Sequence, residues 1–122
     1  MKRRRIYLRY YDGDSLYGSI LEENVDENVE VITSREMQGL PDGCELYLIH
    51  LRDITGKELE NLRLNNPESF IALASNCGTR DWREFYKKFY NMAVDTISLN
   101  TIHVILEKAG LAKKASVGGR IT

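Results

Sequence analysis

Two histidines, two cysteines and a scatter of acids are the residues of this chain best suited to chemistry. Cys44 and Cys77 lack metal-ligand spacing, and the histidines and cysteines form no cluster, which argues against a structural zinc site. His50 is the residue whose setting is unusual. It closes the apolar run of "ELYLIHLRDITG" and is followed at once by a turn with its own acid, Asp53. Histidine titrates near neutrality, so at a strand tip it can be a hydrogen-bonded structural group or a pH- or ligand-sensitive one. A second candidate is the loop "SNCGTRD", where Gly78 and Thr79 can turn backbone N–H groups toward an anion. Its glycine content is too low for a nucleotide loop.

The elements that must position these residues follow from pattern. "RIYLRYY" (5–11) is rich in β-formers and enters the turn Asp12-Gly13-Asp14-Ser15, which has helix-cap chemistry. "SLYGSILEENV" places Leu16, Ile20 and Leu21 on one side at helical spacing. "NVEVITS" (28–34) reads as a strand, and "REMQGLPDG" leaves room for little more than one helical turn. "CELYLIHL" (44–51) is apolar almost throughout, as a strand covered on both faces should be. Asp53 or Thr55 can cap "GKELENLRLNNP", and "SFIALAS" (69–75) is a fourth strand. "DWREFYKKFYNMA" predicts a helix, since Trp82, Phe85, Phe89 and Met92 fall at steps of three, four and three. "VDTIS" (94–98) predicts a fifth strand. The closing helix turns Ile102, Ile105, Leu106 and Ala109 inward and stops at Gly110.

Strand and helix thus alternate five times, which predicts an α/β fold with a doubly wound parallel sheet and right-handed crossovers. Such sheets carry their sites at the C-terminal ends of the strands. The tips are Tyr10-Tyr11-Asp12, His50, Ala74-Ser75 and Ser98-Leu99. Arg9, next to the first tip, requires an acidic partner in a buried setting.

Composition bounds the rest. The 122 residues suit one domain, here 1–112, with 113–122 as a loose tail or linker stub. A net charge of -1 gives no global attraction to nucleic acid, although Lys2 to Arg5 and Lys113-Lys114 are basic. No apolar run approaches the ~20 residues of a membrane span. The two cysteines need not pair, and a reducing cytoplasm is the simpler expectation.

The length, the strand count and two phrases, "PDGCELYLIHLRDITG" and "FYNMAVDTISLNTIHVILEKAGL", resemble the receiver domain of bacterial two-component response regulators. The resemblance covers about Arg4 to Leu111 and implies a flavodoxin-like sheet of order 2-1-3-4-5, here with a shortened second helix. A receiver phosphorylates an aspartate at the end of its third strand. It uses an acidic pair after the first strand for Mg²⁺, a hydroxyl after the fourth and a lysine near the end of the fifth. Laid on this chain, the acidic pair falls on Tyr10 and Tyr11, with Asp12 just beyond. The phosphoacceptor falls on His50, the hydroxyl on Ala74 with Ser75 beside it, and the lysine on Leu99. The family's switch aromatic in the fifth strand falls on Thr96.

Phenols are poor ligands for Mg²⁺, and leucine cannot pair with phosphoryl oxygens. The resemblance therefore implies a degenerate pseudo-receiver, with no cofactor, no metal and no enzymatic activity. It implies a phosphorylation-independent interaction module in signalling or transcriptional regulation. The partner implied is a second copy, or a fused or separate output protein. The expected interface is Trp82, Tyr86 and Tyr90 with Ile102 and Leu106, unless the tyrosines lie flat on their own core. Two alternatives stay open. A divergent receiver can still be switched by phosphate, with a site rebuilt from Asp12, Asp14 and Asp53, or a small ligand can bind at the strand tips. His50 itself is a structural group, a sensor, or a phosphoacceptor or metal ligand.

Overall fold

The computed structural model describes residues 4–9, 16–33, 39–75, 83–84, 86–95 and 97–113. Its elements run β1 (Arg4–Arg9), α1 (Leu16–Asn24), β2 (Val29–Thr33), β3 (Leu46–His50), a 3-10 turn (Leu51–Asp53), α2 (Gly56–Asn65), β4 (Phe70–Ala74), β5 (Met92–Val94) and α3 (Leu99–Ala109). The five strands form one parallel sheet of order β2-β1-β3-β4-β5, as expected from the alternation and the resemblance. Every residue of β3 is buried, because both faces of this central strand are covered.

Alternation along each strand divides the interior into two layers. On one face Ile6, Leu8, Leu46, Leu48, Ala72 and Ala74 pack with Leu21 of α1 and with Ile102, Ile105 and Leu106 of α3. On the other, Tyr7, Tyr47, Ile49, Ile71 and Leu73 pack with Leu59 and Leu62 of α2. Gly18 of α1 faces the sheet, where a Cβ would meet the Thr33 methyl at 3.4 Å, an ordinary packing distance.

The helix ends follow side-chain capping. Thr55, not Asp53, caps α2, in a reciprocal box with Glu58. Ser98 and Thr101 cap α3, and Gly110 ends it in the left-handed conformation at φ 76°. No described helix is long and apolar enough to cross a membrane. The shortened second helix expected in 35–43 falls partly on residues 34–38, outside the described residues; 39–45 form no helix.

Three expectations need correction. The fifth strand lies at Met92–Val94, not 94–98. The helix expected over 81–93 does not reach its C-terminal end: Arg83 and Glu84 are helical, 86–89 are turns, and Met92 is already in the sheet. The reason is Asn91. Its backbone N–H donates to the Ile71 carbonyl and its side-chain oxygen accepts the Ile71 N–H, both at 2.8 Å, which starts pairing with β4 early. Arg63 fixes that side chain with a 2.6 Å hydrogen bond while donating to the carbonyls of Asn66, Pro67 and Ser69. Aromatic spacing cannot reveal such a clamp. The third correction concerns Ile102 and Leu106, expected at an interface. Both are fully buried against the sheet, so the apolar stripe of α3 is core.

Candidate functional site

The C-terminal ends of the central strands are brought side by side by the sheet register. Arg9 pairs with Ile49, His50 with Ala74, and Ala74 with Val94. His50 and Ala74 therefore share a face, and the small alanine leaves space for the imidazole. Ser75 follows, buried, with its N–H donating to the Val94 carbonyl at 3.1 Å. Tyr10, Tyr11 and Asp12 lie outside the described residues, as do Asp14, Trp82, Thr96 and most of the loop "SNCGTRD".

His50 is 3% exposed and acts as a cap. Its Nδ1 accepts the Arg52 N–H at 3.2 Å, closing the 3-10 turn Leu51–Asp53. An accepting Nδ1 places the proton of the neutral ring on Nε2, which is buried. Burial pushes the His50 pKa below the usual histidine value, and the Arg52 guanidinium adds to this, while Asp53 opposes it. The imidazole is thus neutral at pH 7.

Arg9 has the acidic partner its position required. Its guanidinium lies 3.7 Å from Glu58 and donates to the Asp53 carbonyl at 3.2 Å and to the Tyr7 hydroxyl at 3.1 Å. It also sits 5.8 Å from the centre of the Tyr7 ring. The chain thereby joins the tip of β1 to the turn after β3 and to the start of α2. The sequence signals the need for an acid here, but nothing in its spacing points to Glu58.

Asp53 stands in the turn, off the end of β3, with its carboxylate 4.0 Å from Arg52. Among the described residues, no three His, Cys, Asp or Glu side chains converge as a metal site would require. Cys44 is buried and its thiol pKa is raised by that burial, which makes it a poor nucleophile.

Leu99 is not at the end of β5. It opens α3 and is half exposed, five residues beyond Val94. The residue that follows β5 is Asp95, whose carboxylate pairs with Arg83. This correction follows directly from the earlier start of the strand.

The expected flank tyrosines are packed on their own molecule. Tyr86 and Tyr90 are partly buried against the α2-side layer. The Tyr90 hydroxyl donates to the Arg83 carbonyl at 3.0 Å. Tyr86 lies over Gly56, where a Cβ would come within 3.0 Å of its hydroxyl oxygen. Arg63 and Asn91, which set the position of β5, carry no motif that sequence reasoning could have used.

No protein-family model matches the sequence, and no curated protein matches it. Solved structures do match the fold. A CheY-like response regulator receiver domain from Methanospirillum hungatei JF-1 superposes with a TM-score of 0.67 at 16% identity, over 89% of this chain and 95% of that one. The receiver domain of NtrC4 from Aquifex aeolicus gives a TM-score of 0.53 at 17% identity, over 88% and 98%. A structure described as adenylate cyclase from Rhodopirellula baltica gives 0.59 at 15% identity, over 88% and 87%. At such identities the likeness is one of architecture. Strand order, parallel pairing and these neighbours together make the chain a five-stranded α/β protein of the CheY-like receiver fold.

Proposed function

We propose that this chain is a receiver-like interaction module in signalling or transcriptional regulation that works without phosphotransfer. One observation carries the reading. The side chain at the end of β3, where the resemblance places a phosphoacceptor, is a buried neutral imidazole already engaged as a turn cap. A second supports it: the residue after β5 is an acid paired with Arg83, and an acid repels the phosphoryl oxygens that a lysine would bind. Arg9 beside the Asp53 turn further disfavours a divalent cation on that side.

Without a covalent switch, the module acts through its surface, and the partner proposed is a second copy. The contact would involve the β5 edge and the uncovered parts of Tyr86 and Tyr90. Sedimentation at increasing concentration is expected to give a rising mass. A monomer throughout would remove the homodimer from the proposal.

Incubation with a small phosphodonor and Mg²⁺, read by intact mass, tests the absence of phosphotransfer. No adduct is expected. An acid-stable, base-labile phosphoryl group on Asp12 or Asp53, or an acid-labile one on His50, would overturn the reading in favour of a divergent working receiver.

A further inference from the structure

His50 holds a piece of chain in place by a bond that depends on its protonation state. Its Nδ1 accepts the Arg52 N–H at 3.2 Å and so fixes the Leu51–Asp53 turn. That turn is tied to two other elements, because Arg9 of β1 donates to the Asp53 carbonyl and contacts Glu58 of α2. The acceptor exists only in neutral imidazole, since both nitrogens of the imidazolium carry protons.

We propose that His50 is an acid-operated latch. Uptake of one solvent proton at Nδ1 turns the acceptor into a donor facing the Arg52 amide, drives the ring from its buried position and frees the Leu51–Asp53 turn. The released segment carries the Asp53 carbonyl away from Arg9, loosening the tip of β1 from the start of α2. The effect is a pH-dependent change in the surface at the strand tips, independent of whether phosphate is ever transferred there.

Among the described residues, the surroundings favour this outcome over a buried imidazolium. Burial and, on its own turn, Arg52 disfavour the charged ring, and Asp53, the smallest of the three influences, favours it. Glu58 of α2 is engaged by Arg9 and by the Thr55 N–H. β4 contributes the uncharged Ala74 beside His50, Val94 of β5 lies one strand further, and Asp95 after it is paired with Arg83. α1 and α3 present Leu21, Ile102, Ile105 and Leu106 to that layer. A histidine whose folded pKa is lowered stabilises its closed state fully above the free value of about 6.5. That contribution is lost as pH falls toward the folded pKa.

Amide hydrogen exchange of Arg52 and Asp53, corrected for intrinsic rates and followed from pH 8 to pH 5, tests the latch. Opening of the turn in the natural protein is expected to rise below about pH 6.5 by up to about tenfold per pH unit. His50→Asn keeps a capping oxygen without a titrating group and is expected to flatten the curve. Asp53→Asn is expected to retain the slope. A flat profile in the natural protein, the same slope in His50→Asn, or loss of the slope in Asp53→Asn would each overturn the proposal. Should His50→Asn fail to fold, the ring shifts of His50 in the natural protein decide the matter. Their midpoint must coincide with the opening of the Arg52 amide, and a separation of the two would overturn it.

Discussion

The two faces of the sheet are built on different principles. Away from its C-terminal edge, where His50 lies, the buried centre of the face under α1 and α3 is aliphatic, with Ile6, Leu8, Leu46, Leu48, Ile102, Ile105 and Leu106 meeting without a polar atom among their side chains. The face under α2 carries two buried tyrosines in adjacent strands, Tyr7 and Tyr47, edge-on at 6.1 Å. Their hydroxyls reach loop carbonyls: Tyr47 donates to Pro41 at 2.7 Å and Tyr7 to Gly39 at 3.4 Å. The first face supplies cohesion, which is non-directional and scales with area. The second supplies position, because a buried hydroxyl must find a partner and so fixes where the partner's chain runs. Residues 39–42, on the way into β3, are held this way, with Arg5 adding a 2.9 Å bond to the Asp42 carbonyl.

Substitutions can break this contrast. Ile105→Ala on the aliphatic face removes a fully buried side chain, and chemical denaturation should show a loss of about 2–5 kcal/mol. A loss under 1 kcal/mol would mean that this layer is loosely packed. Tyr47→Phe keeps the ring but leaves the Pro41 carbonyl and the Cys44 N–H without their shared hydroxyl, at a cost of about 1–3 kcal/mol. Exchange at the Cys44 amide should rise with it. Burial holds the Tyr47 phenol protonated well beyond neutral pH, so no alkaline loss of this bond is expected between pH 7 and 9.

Smaller effects sharpen the picture. Thr55→Ala removes the α2 cap and should cost about 1 kcal/mol, with faster exchange confined to the first turn of that helix. Asp95→Ala breaks an ion pair with one largely exposed member outside both layers and should cost less than about 1 kcal/mol, diminishing with salt. A larger effect would show that the residue after β5 helps hold the edge of the sheet.

The fold was legible wherever burial alone selected the residues. β3 and β4 read as unbroken apolar runs because both their faces are covered. α3 could be oriented from Ile102, Ile105 and Leu106, although the same stripe was expected to serve partly as an interface. The edge beyond β4 was not legible. Phe89 and Met92 keep a helical interval, yet a polar residue between them, Asn91, settles the conformation by bonding Ile71 and Arg63. Shifting β5 toward the N-terminus moved the tip from Leu99 to Asp95, so one error in an element displaced one residue of the site. At the tip of β3 the histidine itself was evident from the sequence, and its task as a cap was not.

By itself the sequence determined the layered α/β architecture, because alternating apolar runs and amphipathic stripes admit few ways to cover a parallel sheet. Tertiary structure decided which atoms meet at its C-terminal edge. The bond from His50 to Arg52, the reach of Arg9 to Asp53 and Glu58, and the seat of Asn91 beside Ile71 depend on register and side-chain direction. Hydrophobic burial tolerates errors of a residue or two along the chain. A hydrogen bond fails with a displacement of about 1 Å, so only the folded chain could show where these groups lie.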